Sequence, residues 1–432
     1  MHKLLGFYVY LLIIGTTYAQ TTDIQIDTKR LERNMSALAE LNSPKETKRL
    51  SITSTNLEGR AFLMRLMREA GLKVSIDYAG NIIGTRAGWD PNYKPITIGT
   101  TIDKAAELGE LDGYVSSLAA VEVIQTFLDH DLFTDHPLEI IIFADEDEGA
   151  AGSLAMIGEL NKELLRKPTP QGFTLEEGIK QLGGNPEKLE LVARPKGSVE
   201  AFLEIKAAPA SVLGIERRAD IALVDRMVDQ RLWRVTIQRL ETHSGITATE
   251  KRNGVLMTGT NLSIYIKELQ KGVINDSRVQ FDDIREIYLK PSDRNGQLTA
   301  TLEISDQSSE AVNSLYMNLR DKARKLEKTA GISIQFDPLP IPQAEKLDPH
   351  LQEVIGNAAS SIGLSTAKVD SGTDSPSHEM IRIAPSATIL LPVDPYSNRK
   401  KEGSQLSEGA NLLLHTLLSL DKELQSSPLG GN

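Results

Sequence analysis

Carboxylates dominate the residues of this chain that could do chemistry, and several fall in short patterns. Asp145-Glu146-Asp147-Glu148 follows the apolar stretch from Leu138 to Phe143 and is closed by Gly149. Asp112 precedes Gly113, a pair that taken alone reads as a turn. Thr101 and Asp103 are two residues apart, as are Glu204 and Lys206; on a strand each pair projects from one face. Carboxylates gathered in one place without compensation must protonate, pair with a Lys, or capture a cation. The plainer readings are a solvated strand end for residues 145–148 and a surface ion pair for Glu204 with Lys206. The chain has no Cys, which excludes thiolate ligands and disulfides together.

The seven imidazoles are His2, His130, His136, His243, His350, His378 and His415. His130 and His136 flank a helix-to-strand loop, and His415 falls in an apolar helix, where a satisfied core or surface His is expected. His378, four residues after Asp374, is the one plausible substitute metal ligand, although a lone His also reads as structural. Ser371, Asp374 and His378 have the residue types of a hydrolytic triad, but no nucleophile elbow accompanies them.

Positioning such groups takes a substantial core. At 432 residues and 40% hydrophobic composition the chain suffices for two or three domains. Helical spacing covers residues 29–40 and 55–70, with Leu63, Leu66 and Met67 on one face and Gly71 as a stop. Strands are expected at Val74–Tyr78, Ile96–Gly99, Leu138–Phe143 and Phe202–Ile205, with a helix from Val115 to Leu128 between them; this alternation implies an α/β layer.

From about 225 to 336 the pattern becomes a self-contained α+β unit. Its strands are expected at Leu232–Arg239, near 284–289 and 298–304, and at Ile332–Phe336; its helices at Asn261–Lys271 and Glu310–Lys328. Ser308 and Ser309 are cap candidates for the second helix, and Leu315 and Leu319 lie on its buried face. Helix and strand resume at Leu351–Ile362 and Ala387–Leu391, and the chain ends in an apolar helix around Leu412–Leu420. The expected fold is therefore α/β: a discontinuous catalytic-type domain, residues 20–224 and 337–432, with a lid or dimerisation domain inserted at 225–336.

Residues 1–19 carry a weak basic start, an apolar run from Leu4 to Ile14, and Thr17-Tyr18-Ala19 before Gln20, the pattern of a cleaved secretory signal peptide. The run is too short to span a bilayer, so the expectation is an exported protein, periplasmic or secreted, with no membrane span once the signal is removed. A formal net charge of -11 and interrupted basic runs argue against a nucleic-acid partner.

The stretch from Arg49 to Gly88, RLSITSTNLEGRAFLMRLMREAGLKVSIDYAGNIIGTRAG, resembles the opening of the hydantoinase/carbamoylase family of zinc amidohydrolases, and the similarity runs in order from about 29 to 425. The resemblance implies a two-zinc catalytic α/β domain and a lid through which two copies form a homodimer. Five family blocks recur at their expected intervals. The family's G-S-H-x-D stands here as Gly99-Thr100-Thr101-Ile102-Asp103, placing Thr101 at a ligand position and Asp103 behind it. Gly109-Glu110-Leu111-Asp112-Gly113 matches the block whose Asp bridges both metals. Asp147-Glu148-Gly149 matches Glu-Glu-Gly, making Asp147 the general base, one methylene shorter than the family's, and Glu148 a ligand.

Leu203-Glu204-Ile205-Lys206-Ala207-Ala208-Pro209 matches L-H-I-E-Q-G-P, with Glu204 at a ligand His. Ser397-Asn398 stands where a last Ser-His is expected, and Gly372-Thr373-Asp374-Ser375 where G-H-D-A is. In the inserted unit, His243 within Thr242-His243-Ser244-Gly245 resembles the His that reaches the partner's site to polarise the scissile carbonyl. Asn295 and Arg252 are the substrate-contact candidates, and Ser308 falls where an Arg clamps the substrate carboxylate.

The resulting metal set is Thr101, Asp112, Glu148, Glu204 and Asn398, all oxygen, which suits magnesium, calcium or manganese better than zinc. The expected activity of the family is hydrolysis of non-peptide amide C–N bonds. The sequence favours a pseudoenzyme or small-molecule binding protein in which Lys206 replaces metal charge and no cofactor is held. The alternative is an active hydrolase with an oxygen-ligated divalent cation, Asp147 as base and His243 as electrophile.

Overall fold

The computed structural model describes residues 24–41, 54–102, 112–144, 150–166, 173–209, 219–227, 229–239, 248–272, 278–287, 297–306, 309–339, 346–371, 375–393 and 399–426. The signal-peptide candidate lies outside them. Among the described residues no helix is long and apolar enough to cross a membrane.

The chain divides into two compact units, one formed by Met1–Asp225, Lys346–Val369 and Asp374–Asn432, the other by Arg226–Glu345 and Asp370–Thr373. In chain order the elements are α1 (Thr28–Leu41), α2 (Ser54–Glu69), β1 (Lys73–Ile76), β2 (Ile82–Arg86), β3 (Ile96–Thr101), α3 (Asp112–Asp129), β4 (Leu138–Phe143), α4 (Ala151–Met156), α5 (Lys162–Leu165), α6 (Leu175–Gln181), β5 (Ala201–Pro209), β6 (Ile221–Met227), β7 (Asp229–Arg239), α7 (Ala248–Gly272), β8 (Arg278–Ile287), β9 (Gln297–Asp306), α8 (Ser309–Ala330), β10 (Ile332–Pro338), α9 (Pro349–Ser361), β11 (Thr366–Ser371), α10 (Ser377–Met380), β12 (Ser386–Val393) and α11 (Arg399–Ser426).

The first unit is built on a mixed sheet in the order β1-β2-β4-β3-β5-β12-β6-β11. Its centre, β4-β3-β5-β12, is parallel, while β2 and β6 pair antiparallel on either side. Parallel strands covered on both faces read as unbroken apolar runs, and all six residues of β4 are buried. One core joins Leu63, Phe127, Ile140, Leu203 and Leu413 with residues of α1, α2, α3, α9 and α11. A separate core, containing Ile141, Phe143, Phe202, Met156 and Met380, takes α4, α6 and α10. Odd and even residues of β4 belong to different cores, as the two-residue period of a strand requires.

The second unit carries the antiparallel sheet β10-β7-β9-β8. Alternate residues of its strands, among them Trp233, Val235, Leu302 and Phe336, share a core with Val255, Leu262, Leu315 and Leu319 of α7 and α8. Trp233 stacks on Tyr316, ring centroids 4.3 Å apart. The helix expected at Asn261–Lys271 begins much earlier, at Ala248, because Gly254, Thr258, Gly259 and Thr260 interrupt the apolar period without ending the helix. Gly259 serves close packing: a Cβ there would lie 3.1 Å from Leu298 Cδ1. The strand expected near 284–289 runs instead from Arg278 to Ile287 with a bulge between Asp282 and Arg285, which breaks the alternation a period of two would show. Ser309 is already the first helical residue of α8, and Ser308 lies outside the described residues.

Polar contacts fasten the helical layer of the first unit. Arg30 of α1 grips Glu122 of α3, Nη2 to Oε1 at 2.6 Å, and its Nη1 reaches Asp129. Asp421 of α11 accepts the backbone N–H groups of Asp135 and His136, each at 2.9 Å, and its Oδ1 lies 2.9 Å from His136 Nδ1. His415, also on α11, is buried with Nε2 3.1 Å from the carbonyl oxygen of Ile24.

Burial holds the His415 pKa below its ordinary 6.5, with the Ile24 contact opposing in part. The folded state thus keeps a neutral imidazole where the unfolded chain takes up a proton. The associated stability is complete above 6.5 and is lost as pH falls toward the folded value. Urea denaturation at pH 7.5 and 5.5 is expected to show a larger acid loss for the wild type than for His415→Gln. Equal losses would contradict this.

A candidate active site at the carboxyl ends of the parallel strands

In open α/β sheets ligands bind beyond the carboxyl ends of the strands. Here β3 ends at Thr101 and β4 at Phe143, and the segments bearing Asp103 and Asp145–Glu148 leave from those two ends. Asp103, Asp147, Glu148, His243, Asn295 and Asn398 lie outside the described residues, and only the backbone of Asp112 and Arg252 is described. Asp112 opens α3 and Arg252 lies in α7. Among the described residues, no three His, Asp or Glu side chains come together as a metal would require.

What the structure does place are the supports of these segments. Ser117 of α3 donates through Oγ to the carbonyl oxygen of Thr101 at 2.9 Å. The neighbouring Ser116 Oγ accepts the backbone N–H of Ala207 in β5 at 3.0 Å. The first turns of α3 therefore hold the ends of both strands, which fixes the direction in which Thr101, half-buried, leaves the sheet.

A second clasp brackets the acidic run. Asn81, fully buried, accepts the Ala144 N–H through Oδ1 at 2.9 Å. Its Nδ2 donates to Asp77 Oδ2 at 2.8 Å and to the Gly152 carbonyl oxygen at 3.3 Å. The Gly152 N–H returns to the Ala144 carbonyl oxygen at 2.8 Å. Residues 145–149 thus depart from and rejoin the fold at one side chain. A Cβ on Gly152 would lie 2.7 Å from the Ala144 nitrogen, so only glycine allows the approach. Ala150 is held in the left-handed region at φ 50° just before α4, a conformation unusual for a residue with a Cβ. Burial raises the Asp77 pKa, while hydrogen bonds from Asn81 and Ala79 oppose the shift.

Glu204 occupies the middle of the sheet, in register with Gly99 of β3 and Thr388 of β12. It is 1% exposed, so the surface ion pair considered for it does not hold: neighbouring strands and α10 leave its carboxylate no access to solvent. Its Oε2 accepts from Ser375 Oγ and, at 2.5 Å, from Ser377 Oγ. Thr388 Oγ1 lies 3.2 Å from the same oxygen and 2.8 Å from Ser377 Oγ, and its single proton serves one of them. Glu204 Oε1 is buried with no hydrogen-bond partner, and so is His378 Nε2. Burial pushes the His378 pKa below the ordinary imidazole range; the Glu204 charge pulls it up and that of Lys206 pushes it further down.

The two serines and Thr388 escaped the sequence reading. Their signal is an acid in a mostly apolar strand, which demands donors once buried, and a Ser-Pro-Ser run preceding a strand that itself carries two hydroxyls. Asn81 carried no signal at all. Its loss is expected to leave the Ala144 N–H and Asp77 Oδ2 unpaired in the core, so Asn81→Ala should cost about 2–3 kcal/mol in urea denaturation. A change under about 0.5 kcal/mol would show the clasp to be dispensable.

No protein-family model matches the chain. It is 27% identical to an N-carbamoyl-L-amino acid amidohydrolase of Geobacillus stearothermophilus over 392 residues, 86% of this chain and 93% of that protein. It is 25% identical to a ureidoglycolate hydrolase of Arabidopsis thaliana over 93% of this chain and 88% of the other. Among solved structures, an amidase of the hydantoinase/carbamoylase family from Burkholderia vietnamiensis superposes with a TM-score of 0.77 at 21% identity, covering 92% of this chain and 98% of that one. In sequence and in fold, the chain is a homologue of the hydantoinase/carbamoylase family amidases.

Proposed function

We propose that this protein is an exported amidohydrolase that cleaves non-peptide amide or ureido C–N bonds with a divalent cation held by an altered, oxygen-rich site. The observation that carries this reading is Glu204 Oε1, a carboxylate oxygen buried at the sheet centre without a partner. A buried charge left unanswered is costly, and an ion is one of the few groups that answers it. Thr101, Asp112, Glu148 and Asn398 are the further ligand candidates. Bound there, a divalent cation supplies a water of lowered pKa and an electrophile for the carbonyl oxygen. Asp147 would take the proton of the attacking water, Asp103 would orient a ligand from behind, and His243 is the candidate for stabilising the developing oxyanion.

The relatives named above act on an N-carbamoyl-L-amino acid and on ureidoglycolate. With Ser308 where the family places an Arg, that position offers no bidentate partner to a substrate carboxylate, which favours neutral carbamoyl or ureido compounds. Purified protein with manganese or zinc is expected to release ammonia from neutral carbamoyl amines faster than from N-carbamoyl amino acids, and Glu148→Gln to abolish it. Absence of ammonia release with every metal and substrate would defeat the hydrolase.

A second reading, a pseudoenzyme that binds a small molecule, is supported by Lys206, which stands two residues from Glu204 on β5 and would take the place of metal charge. A folded homodimer that takes up no metal and withstands EDTA would favour it. Export rests on the pattern of residues 1–19. The mature chain is expected to begin at Gln20 by intact mass, and a cytoplasmic chain retaining Met1 would contradict this.

A further inference from the structure

We infer that the aromatic loops at the amino ends of β3 and β4 are a docking surface for a basic segment of a partner protein, one that brings an Arg or Lys side chain onto Trp89. The inference is independent of the chemistry proposed above. Arg86, the last residue of β2, stands opposite Leu138, the first of β4, and Ile96 opens β3. The loops 87–95 and 130–137 therefore lie at the pole of the sheet opposite the carboxyl ends of the parallel strands. A partner seated on them leaves those carboxyl ends uncovered.

Trp89 is 69% exposed and Phe133 55%, with ring centroids 5.0 Å apart. Apolar residues scattered singly over a surface need no explanation, whereas two large rings in contact form a patch of the composition that dominates protein interfaces. The loops are also held in place. The Trp89 N–H donates to the Thr134 carbonyl oxygen at 3.0 Å and the Asp90 N–H to that of Asp135 at 3.1 Å. A Cβ on Gly88 would collide with the Asp135 carbonyl oxygen, so the approach of the two loops requires glycine. Arg86 Nη2 donates to the Leu132 carbonyl oxygen at 2.6 Å, and Asp421 accepts the N–H groups of Asp135 and His136. Loops tied at so many points lose little freedom when a partner lands.

Charge selects the partner. Besides Asp129 at the end of α3, which Arg30 takes, the loops carry Asp90, Asp131 and Asp135. The Lys and Arg beside them are engaged elsewhere: Lys94 Nζ lies 3.9 Å from Glu200, and the Arg86 guanidinium carbon lies 5.4 Å from the ring centroids of both Phe127 and Phe133. An excess of carboxylates repels an anionic lipid surface and draws in a cation. Phe133 already receives one guanidinium, from Arg86, and Trp89, the stronger cation acceptor of the two rings, faces solvent.

The test is calorimetric titration of the full chain at physiological salt with an acetylated, amidated Arg-Gly repeat octapeptide. The wild type is expected to bind it, Trp89→Ala to weaken binding about tenfold and Asp131→Asn about threefold, with unchanged circular dichroism spectra. A peptide with citrulline in place of arginine is expected not to bind. Equal binding by wild type and Trp89→Ala would trace the attraction to overall negative charge, and equal binding of the citrulline peptide would leave the cation no role; either overturns the inference, as does absence of binding. Binding of cellohexaose in place of the peptide also overturns it, by making the patch a glycan platform. Should Trp89→Ala fail to fold, Asp131→Asn decides, because Asn tolerates the left-handed φ of 48° at that position.

Discussion

A polar group placed inside a parallel sheet must be answered by partners close at hand, because water cannot reach it and the strands on either side already use their backbone groups on each other. Glu204 meets that constraint at the middle of the first unit. Thr388 on the neighbouring strand and Ser375 and Ser377 at α10 all turn to one of its oxygens. The connection between β11 and β12 is thereby tied to β5, and the identity of residue 204 dictates what α10 must carry.

The same constraint governs the strand ends. Apolar runs such as β4 bury both faces, yet the chain must leave the sheet through polar backbone that has lost its ladder partners. Asn81 at the end of β4 and Ser116 and Ser117 at the ends of β5 and β3 take up those groups. Each anchor sits on an element different from the one it holds. The ends of the strands are thereby fixed by side chains from other elements, as a rigid scaffold requires. Local cost is accepted at Ala150, whose left-handed backbone lets the chain turn into α4 directly after the acidic run.

The homologous amidases establish the family of folds to which this chain is related. Hydroxyls grouped on one carboxylate oxygen leave the other buried without a partner. Burial lowers the His378 pKa, with the Glu204 carboxylate opposing that shift and the Lys206 ammonium adding to it.

The sequence alone determined the elements whose signal is local. The apolar run of β4, the amphipathic face of α8 and the alternation in β7 follow from side-chain period, which each stretch expresses without reference to the rest of the chain. The order of the family blocks made the fold class legible in the same way. Where glycine and threonine blurred the period, as over Ala248–Thr260 of α7, the helix was fixed by its packing on the sheet strands and could not be read locally. The partners of Glu204 were decided only by tertiary structure: Ser375, Ser377 and Thr388 lie 171 or more positions away in sequence, and no local pattern ties their hydroxyls to that acid. So it was for Asn81, whose hold on Ala144 spans 63 positions. Hydrogen bonds that satisfy buried polar groups depend on which strands become neighbours, and that is settled by the collapse of the whole sheet.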